Sequence, residues 1–244
     1  MSVWLRRARP LLGTLVEIGV PQEAAAEDAL QAAFAAVRRV QACMSRFELD
    51  SDVARFAALP SGASMEVESE TAVVLQSAWA LQQASGGLFD ITLGRAPDGW
   101  RCEGRSLHKQ AAAAAFDLGG IAKGYAVDSA VQTLQRLGCT TGWVNAGGDL
   151  RAFGAVLLPV LLRDEDSGGV HPFMQLGDAA FSTSRFGVHC RSQVWAAGGR
   201  GVDAHVSVAA PSCLWADALT KVVAASGDAQ HPLLQEHRAR AWLH

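Results

Sequence analysis

Between Glu23 and Met44 the chain is rich in alanine, and Leu30, Phe34, Val37, Val40 and Met44 fall at helical spacing. That run predicts an amphipathic helix, with acidic residues in its first turns where they complement the helix dipole. A helix with one apolar face must bury it against a second layer. Candidate strands surround it. Leu11 to Val20 reads as a first strand ended by Pro21, and Met65 to Ala84 as a short strand followed by a helix that stops at Ser85-Gly86-Gly87. A further helix carries Tyr125, Ala126, Ala130, Leu134 and Leu137 and closes at Gly138. Trp143 to Asn145, Val156 to Leu162, Ala179 to Ser184 and His205 to Ala210 read as strands, and Trp215 to Ser226 as a helix. Ser45 to Asp52 is polar and turn-rich, and Phe89 to Arg105, with Gly94, Pro97 and Gly99, reads as irregular. Long helices separated by clusters of strands predict an α+β fold of mixed sheets and helices, one domain over residues 1–244, rather than a regular βαβ series.

Composition narrows the function classes. The 244 residues suffice for a full core, and a formal net charge of -3 gives no basic bias, so no nucleic-acid partner is expected. The five cysteines are odd in number and none has CxxC spacing, which disfavours a disulfide framework or a cysteine zinc site. The positive N-terminal stretch is not followed by an apolar run, because Pro10, Gly13, Thr14 and Glu17 interrupt it. No signal peptide or membrane span is expected, so the location reads as cytoplasmic, or as periplasmic if a leader was removed.

Three constellations carry possible chemistry. The first is Asp117-Leu118-Gly119-Gly120-Ile121-Ala122-Lys123-Gly124-Tyr125. A glycine pair at the mouth of a helix lets backbone amides approach an anion, the helix N-terminus adds partial positive charge, and Lys123 adds a full one. The second, Asn145-Ala146-Gly147-Gly148-Asp149, can set a carboxylate beside a ligand at a strand end. In the third, Asp217-Ala218-Leu219-Thr220-Lys221, residues three and four apart share a helix face, so Asp217 points the same way as Thr220 and Lys221. A carboxylate and a hydroxyl suit Mg²⁺, whereas a lysine there can take the cation's place. By spacing alone each also has an ordinary reading: a loop-to-helix junction, a tight turn with a solvated aspartate, and a surface ion pair. No histidine lies in an HExxH pattern, and Ser184 lacks a GxSxG context.

Taken in order, these motifs resemble the ApbE family of FAD:protein FMN transferases. Leu11-Leu12-Gly13-Thr14 is similar to the family's opening Met-Gly-Thr strand, with Leu12 in place of methionine. Met44 to Val53 resembles its serine-aromatic loop, and Gly86 to Gly94 its Phe-Asp-Pro-Thr-Val-Gly stretch. Asp117 to Asp128 and Asn145 to Asp149 resemble its central motifs, and Ala210-Pro211 with Ala216-Asp217-Ala218-Leu219 its C-terminal one. The resemblance implies an α+β domain with a central FAD-binding cleft. It also implies attack by a threonine hydroxyl of an acceptor flavoprotein on the FAD pyrophosphate, assisted by Mg²⁺, leaving FMN on the threonine and releasing AMP. By position, Leu12, Phe47, Phe89, Asp90, Asp117 and Lys123 would line the FAD site, and Asn145, Gly147, Gly148 and Asp149 would close it near the flavin. Gly120, through its carbonyl, and Asp217 would hold the metal, with Thr220 nearby.

The chain departs from the family pattern twice. The family usually has threonine four residues after the metal aspartate; here that position is Lys221, with Thr220 one residue earlier. The family's His-Ile-Ile-Asp-Pro-Arg-Thr-Gly segment has no copy here; His189 and His205 lie in that region. Lys221, His189 and Thr220 are therefore the candidate catalytic residues. Two other readings stand beside the transferase: an FAD-binding protein without turnover, and an FAD pyrophosphatase.

Overall fold

The computed structural model describes residues 3–23, 26–163, 168–187 and 201–244. Its main sheet begins with a hairpin. Strand β1 (Trp4–Leu11) pairs antiparallel with β2 (Thr14–Pro21), and Leu11 faces Thr14 across a two-residue turn. The expected strand over Leu11 to Val20 is thus β2 from Thr14 onward, with Leu12 and Gly13 as the turn and Leu11 as the last residue of an unforeseen β1. The missed β1 is a sheet edge bearing three arginines and Pro10, features that block pairing with another chain and hide strand periodicity. Arg7 binds Glu27 at 2.9 Å, and the Arg9 guanidinium lies 4.5 Å from the Phe34 ring centre. Both contacts tie the edge to the predicted amphipathic helix, α1 (Ala26–Met44).

Strands β6 (Gly142–Ala146), β7 (Asp149–Phe153), β10 (Ala180–Phe186), β11 (Ala204–Ala210) and β12 (Arg240–Leu243) complete a seven-stranded sheet in the order β1-β2-β6-β7-β10-β11-β12. Its strands pair antiparallel throughout the described residues. One face is covered by α4 (Ala122–Arg136) and α5 (Cys213–Ser226), and α1 packs on α4. The other face carries a smaller apolar cluster of Trp143, Phe181 and the hairpin β8 (Leu158–Arg163) with β9 (Val170–Leu176).

A satellite unit packs beyond α1. It holds α2 (Asp52–Ala58), α3 (Ser69–Ala84) and the three-stranded sheet β3 (Ser64–Glu66), β5 (Ser106–Lys109), β4 (Trp100–Glu103). The stretch expected to be irregular therefore ends in β4, and the turn-rich loop runs into α2, which Ser51 caps through its hydroxyl. A short helix, α6 (Pro232–Glu236), precedes β12. One hydrophobic core runs through both parts, from Val16 to Leu234, so the α+β expectation holds. Among the described residues no helix is long and apolar enough to cross a membrane.

Candidate functional site

A cavity of about 470 Å³ opens where the β1–β2 turn, the C-terminal end of α1, the loop after it and the Asp117–Lys123 segment meet. Its size suits a small-molecule ligand. Leu12 and Gly13 both have left-handed backbone, at φ 56° and 70°, as a two-residue hairpin of this hand requires. For leucine that conformation costs about 1 kcal/mol. It is held by the Leu12 amide, which donates to Gln41 Oε1 at 2.7 Å. At the rim Phe47 is 82% exposed, with the Arg46 guanidinium 4.8 Å from its ring centre. Arg46 also reaches Asp117 Oδ2 at 3.2 Å, joining the rim loop to the helix mouth. The other oxygen of Asp117 accepts the Gly119 amide at 2.9 Å.

Beneath this cavity lies a buried set of paired charges. Lys123, in the first turn of α4, lines the cavity and ion-pairs with Asp149 Oδ2. Asp149 opens β7 after a turn made by Gly147 and Gly148, both at positive φ. A Cβ on Gly147 would lie 2.3 Å from Thr14 Oγ1, so this turn sits against β2. Asn145 holds the turn by accepting the Gly148 amide at 3.1 Å. The second oxygen of Asp149 accepts the Ser182 hydroxyl at 2.5 Å. Asp217, wholly buried in α5, accepts the Gly124 amide at 3.3 Å and ion-pairs with Lys221. Two carboxylates and two ammonium groups thus meet under the start of α4.

Their electrostatics follow from burial and pairing. Burial disfavours the Lys123 ammonium, but Asp217 and Asp149 outweigh it and hold its pKa above the usual lysine range. Burial pushes Asp149 up, as does the neighbouring Asp217 charge, against the pull of Lys123 and Lys221. Burial works on Asp217 too, yet Lys221 and Lys123 prevail and hold it below the usual carboxylate range. The Cys213 thiol is pushed well up by burial and by Asp149, Asp128 and Asp217. It therefore lacks the thiolate character a nucleophile needs.

The oxygen donors do not fit a divalent cation. Mg²⁺ demands near-octahedral oxygen ligands. Thr220 does not stand beside the Asp217 carboxylate as expected from spacing; its buried hydroxyl turns back and donates to the Asp217 carbonyl at 2.7 Å. Lys221 binds the Asp217 carboxylate and also donates to that carbonyl at 3.1 Å. Among the described residues no group of three histidine, cysteine, aspartate or glutamate side chains is placed to hold a metal.

The cavity brings together Leu12, Phe47, Asp117 and Lys123, with Asp149 one ion pair below. Phe89 and Asp90 lie outside its lining. Phe89 is buried in the core, and Asp90 spends both oxygens inside its own loop, accepting the Thr92 amide at 2.7 Å and the Gly94 amide at 2.7 Å. His189 lies outside the described residues. Sequence reasoning missed three supports. Ser182 holds Asp149. Asp128 accepts the Cys213 and Leu214 amides, each at 2.9 Å, and so caps α5 in place of a side chain from Ser212. Arg151 ion-pairs with Asp128. The signal for Asp128 was its place one helical turn beyond Gly124, facing α5; its partner 85 residues on was invisible.

Fold and site together define an α+β protein with a small-molecule-sized cleft at a helix N-terminus. The ApbE family model matches residues 12–243, and the chain belongs to the ApbE family. It is 26% identical over 185 residues to the FAD:protein FMN transferase of Treponema pallidum (strain Nichols). That match covers 61% of this chain and 51% of the relative, so the aligned part spans about half the relative's length. Among solved structures it is similar in fold to the flavin transferase ApbE of Vibrio cholerae, with TM-score 0.83 and 20% identity over 100% of this chain and 94% of the other. The ApbE protein of Thermotoga maritima superposes with TM-score 0.84 and 24% identity over 99% of this chain and 94% of the other.

Proposed function

We propose that this protein is an FAD:protein FMN transferase, with FAD and an acceptor flavoprotein as its substrates. The observation that carries the reading is the meeting of Asp117 and Lys123 in one cavity at the start of α4, within a chain matched by the ApbE family from residue 12 to 243. In this reading the FAD pyrophosphate lies at the N-terminus of α4, where the helix dipole and Lys123 favour its charge. Asp117 and Arg46 close the helix mouth, and Phe47 and Leu12 offer apolar surface to the ring systems. Asn145, Gly147 and Gly148 form the nearby turn, and Asp149 keeps Lys123 oriented. Gly120, Phe89 and Asp90 are not among the residues that line the cavity, and this reading gives them no contact with FAD.

The chemistry balances simply. A threonine Oγ of the acceptor forms a bond to the phosphorus on the FMN side. The bond from that phosphorus to the bridging oxygen breaks, AMP leaves with that oxygen, and the hydroxyl proton passes to a base. His189 is our candidate for that base. The protein's contribution is largely to position the pyrophosphate and neutralise charge developing on it.

The test is nucleotide chromatography after incubation with FAD, with and without an acceptor flavoprotein. AMP that appears only with acceptor supports the transferase. AMP and free FMN without acceptor would make it a pyrophosphatase, and intact FAD in both samples would make it a binding protein.

A further inference from the structure

We propose that the Lys221 ammonium is a built-in cation of this site, so that the protein binds the FAD pyrophosphate without a divalent metal. The proposal rests on the flavin-transferase reading for the identity of the ligand; the placement of the cation does not depend on it. Three observations carry it.

First, Lys221 is anchored by design of its surroundings. Its side chain is 14% exposed, and it contacts a carboxylate with no exposure at all. An ammonium has three donors. Two go to Asp217, one to the carboxylate and one to the backbone carbonyl at 3.1 Å. The third N–H has no protein partner among the described residues, which leaves it for a phosphate oxygen.

Second, the lysine passes both groups that could otherwise ligate a cation here. Its stem lies across Gly120, where an added Cβ would come 2.9 Å from Lys221 Cε and 3.3 Å from Cδ. Gly120 is not among the glycines with positive φ, so open space for the lysine, rather than backbone conformation, is what a side chain there would remove. The ammonium then ends on Asp217. A cation bound between the Gly120 backbone and Asp217 would occupy the same volume.

Third, the charges already balance. Asp149 and Asp217 face Lys123 and Lys221, two negative against two positive. A dication entering this cluster would meet two fixed ammonium groups and would have to displace one of them. Asp217 is further held by the Gly124 amide at 3.3 Å, at the positive end of α4. In this proposal a phosphate at the start of α4 meets Lys123, which lines the cavity, and the Lys221 ammonium held behind it on Asp217.

The experiment uses Mn²⁺ as the probe, followed by electron paramagnetic resonance, and FAD binding followed by flavin fluorescence. The wild-type protein is expected to leave Mn²⁺ free at micromolar concentrations, with or without FAD, and to bind FAD equally in EDTA and in Mg²⁺. Lys221→Thr, which frees Asp217, is expected to take up Mn²⁺ and to make FAD binding respond to Mg²⁺. Lys221→Met is expected to weaken FAD binding about tenfold, the scale of one lost charge-assisted hydrogen bond, with no rescue by metal. Uptake of one Mn²⁺ per wild-type chain, or loss of FAD affinity in EDTA, overturns the proposal. The wild-type Mn²⁺ measurement decides the matter even if a variant does not fold. It needs neither acceptor nor turnover, so a failure of the transferase reading stays distinguishable from a failure of this one.

Discussion

Lys123 and Asp128 show how much depends on single side chains that look alike in sequence. Lys123 lines the cavity and pairs with the buried Asp149, so Lys123→Ala is expected to weaken FAD binding about tenfold or more and, by leaving that carboxylate without its ammonium, to lower the thermal midpoint as well, as fluorescence titration and calorimetry would show. Unchanged affinity would remove Lys123 from the phosphate site. Asp128 acts on structure instead. It receives two amides at the start of α5 and the Arg151 guanidinium. Asp128→Ala leaves those donors unpaired and is expected to destabilise the fold by about 2–4 kcal/mol in chemical denaturation. At this scale the sequence spoke through motif spacing, which picked Asp117, Lys123, Asp149 and Asp217. It could not distinguish Thr220 from Lys221 as the neighbour of the Asp217 carboxylate. Both share its helix face, and only rotamers decide that threonine bonds backward to the carbonyl while lysine reaches the carboxylate.

Helices α4 and α5 set the site by their closeness. At Gly124 an added Cβ would lie 2.2 Å from the Cys213 carbonyl oxygen, a backbone atom that cannot swing away. Gly124→Ala is therefore expected to push the helices apart, costing about 1–3 kcal/mol and lowering the melting temperature by several degrees. FAD binding should fall with it, because Lys123 and Asp217 ride on the two helices. Elsewhere β11 and β12 carry a pH-sensitive edge. Burial pushes the His244 imidazole below its usual range, and His205 and His171 add to the effect. The folded pKa lies below the unfolded one, so the stabilising contribution is complete above the ordinary value near 6.5 and is lost as pH falls toward the folded value. The melting temperature is expected to drop between pH 7.5 and pH 5, and His244→Gln should lessen that drop. The long helices α1 and α4 were legible because apolar periodicity over four turns is hard to mistake. Strands β1, β4, β5, β7, β9 and β12 were not, since their four to eight residues carry arginine, other polar groups, proline or a glycine turn in place of clean alternation.

For the whole molecule, the antiparallel sheet acts as the frame on which three remote segments converge: the β1–β2 turn, the β6–β7 turn and the start of α4. The α+β class was readable from the mixture of elements, but the strand order was not, because β10 returning to pair with β7 across the β8–β9 hairpin depends on contacts far apart in sequence. In the proposed reading that convergence gathers the motifs at residues 12, 117 and 149 around one cavity, with Asp217 of α5 beneath it. The most direct test is peptide mass spectrometry of an acceptor flavoprotein after incubation with this protein and FAD. The account predicts one tryptic peptide heavier by an esterified FMN, with the modification on a threonine and AMP formed in equal amount. An acceptor that remains unmodified while wild-type protein binds FAD would contradict it.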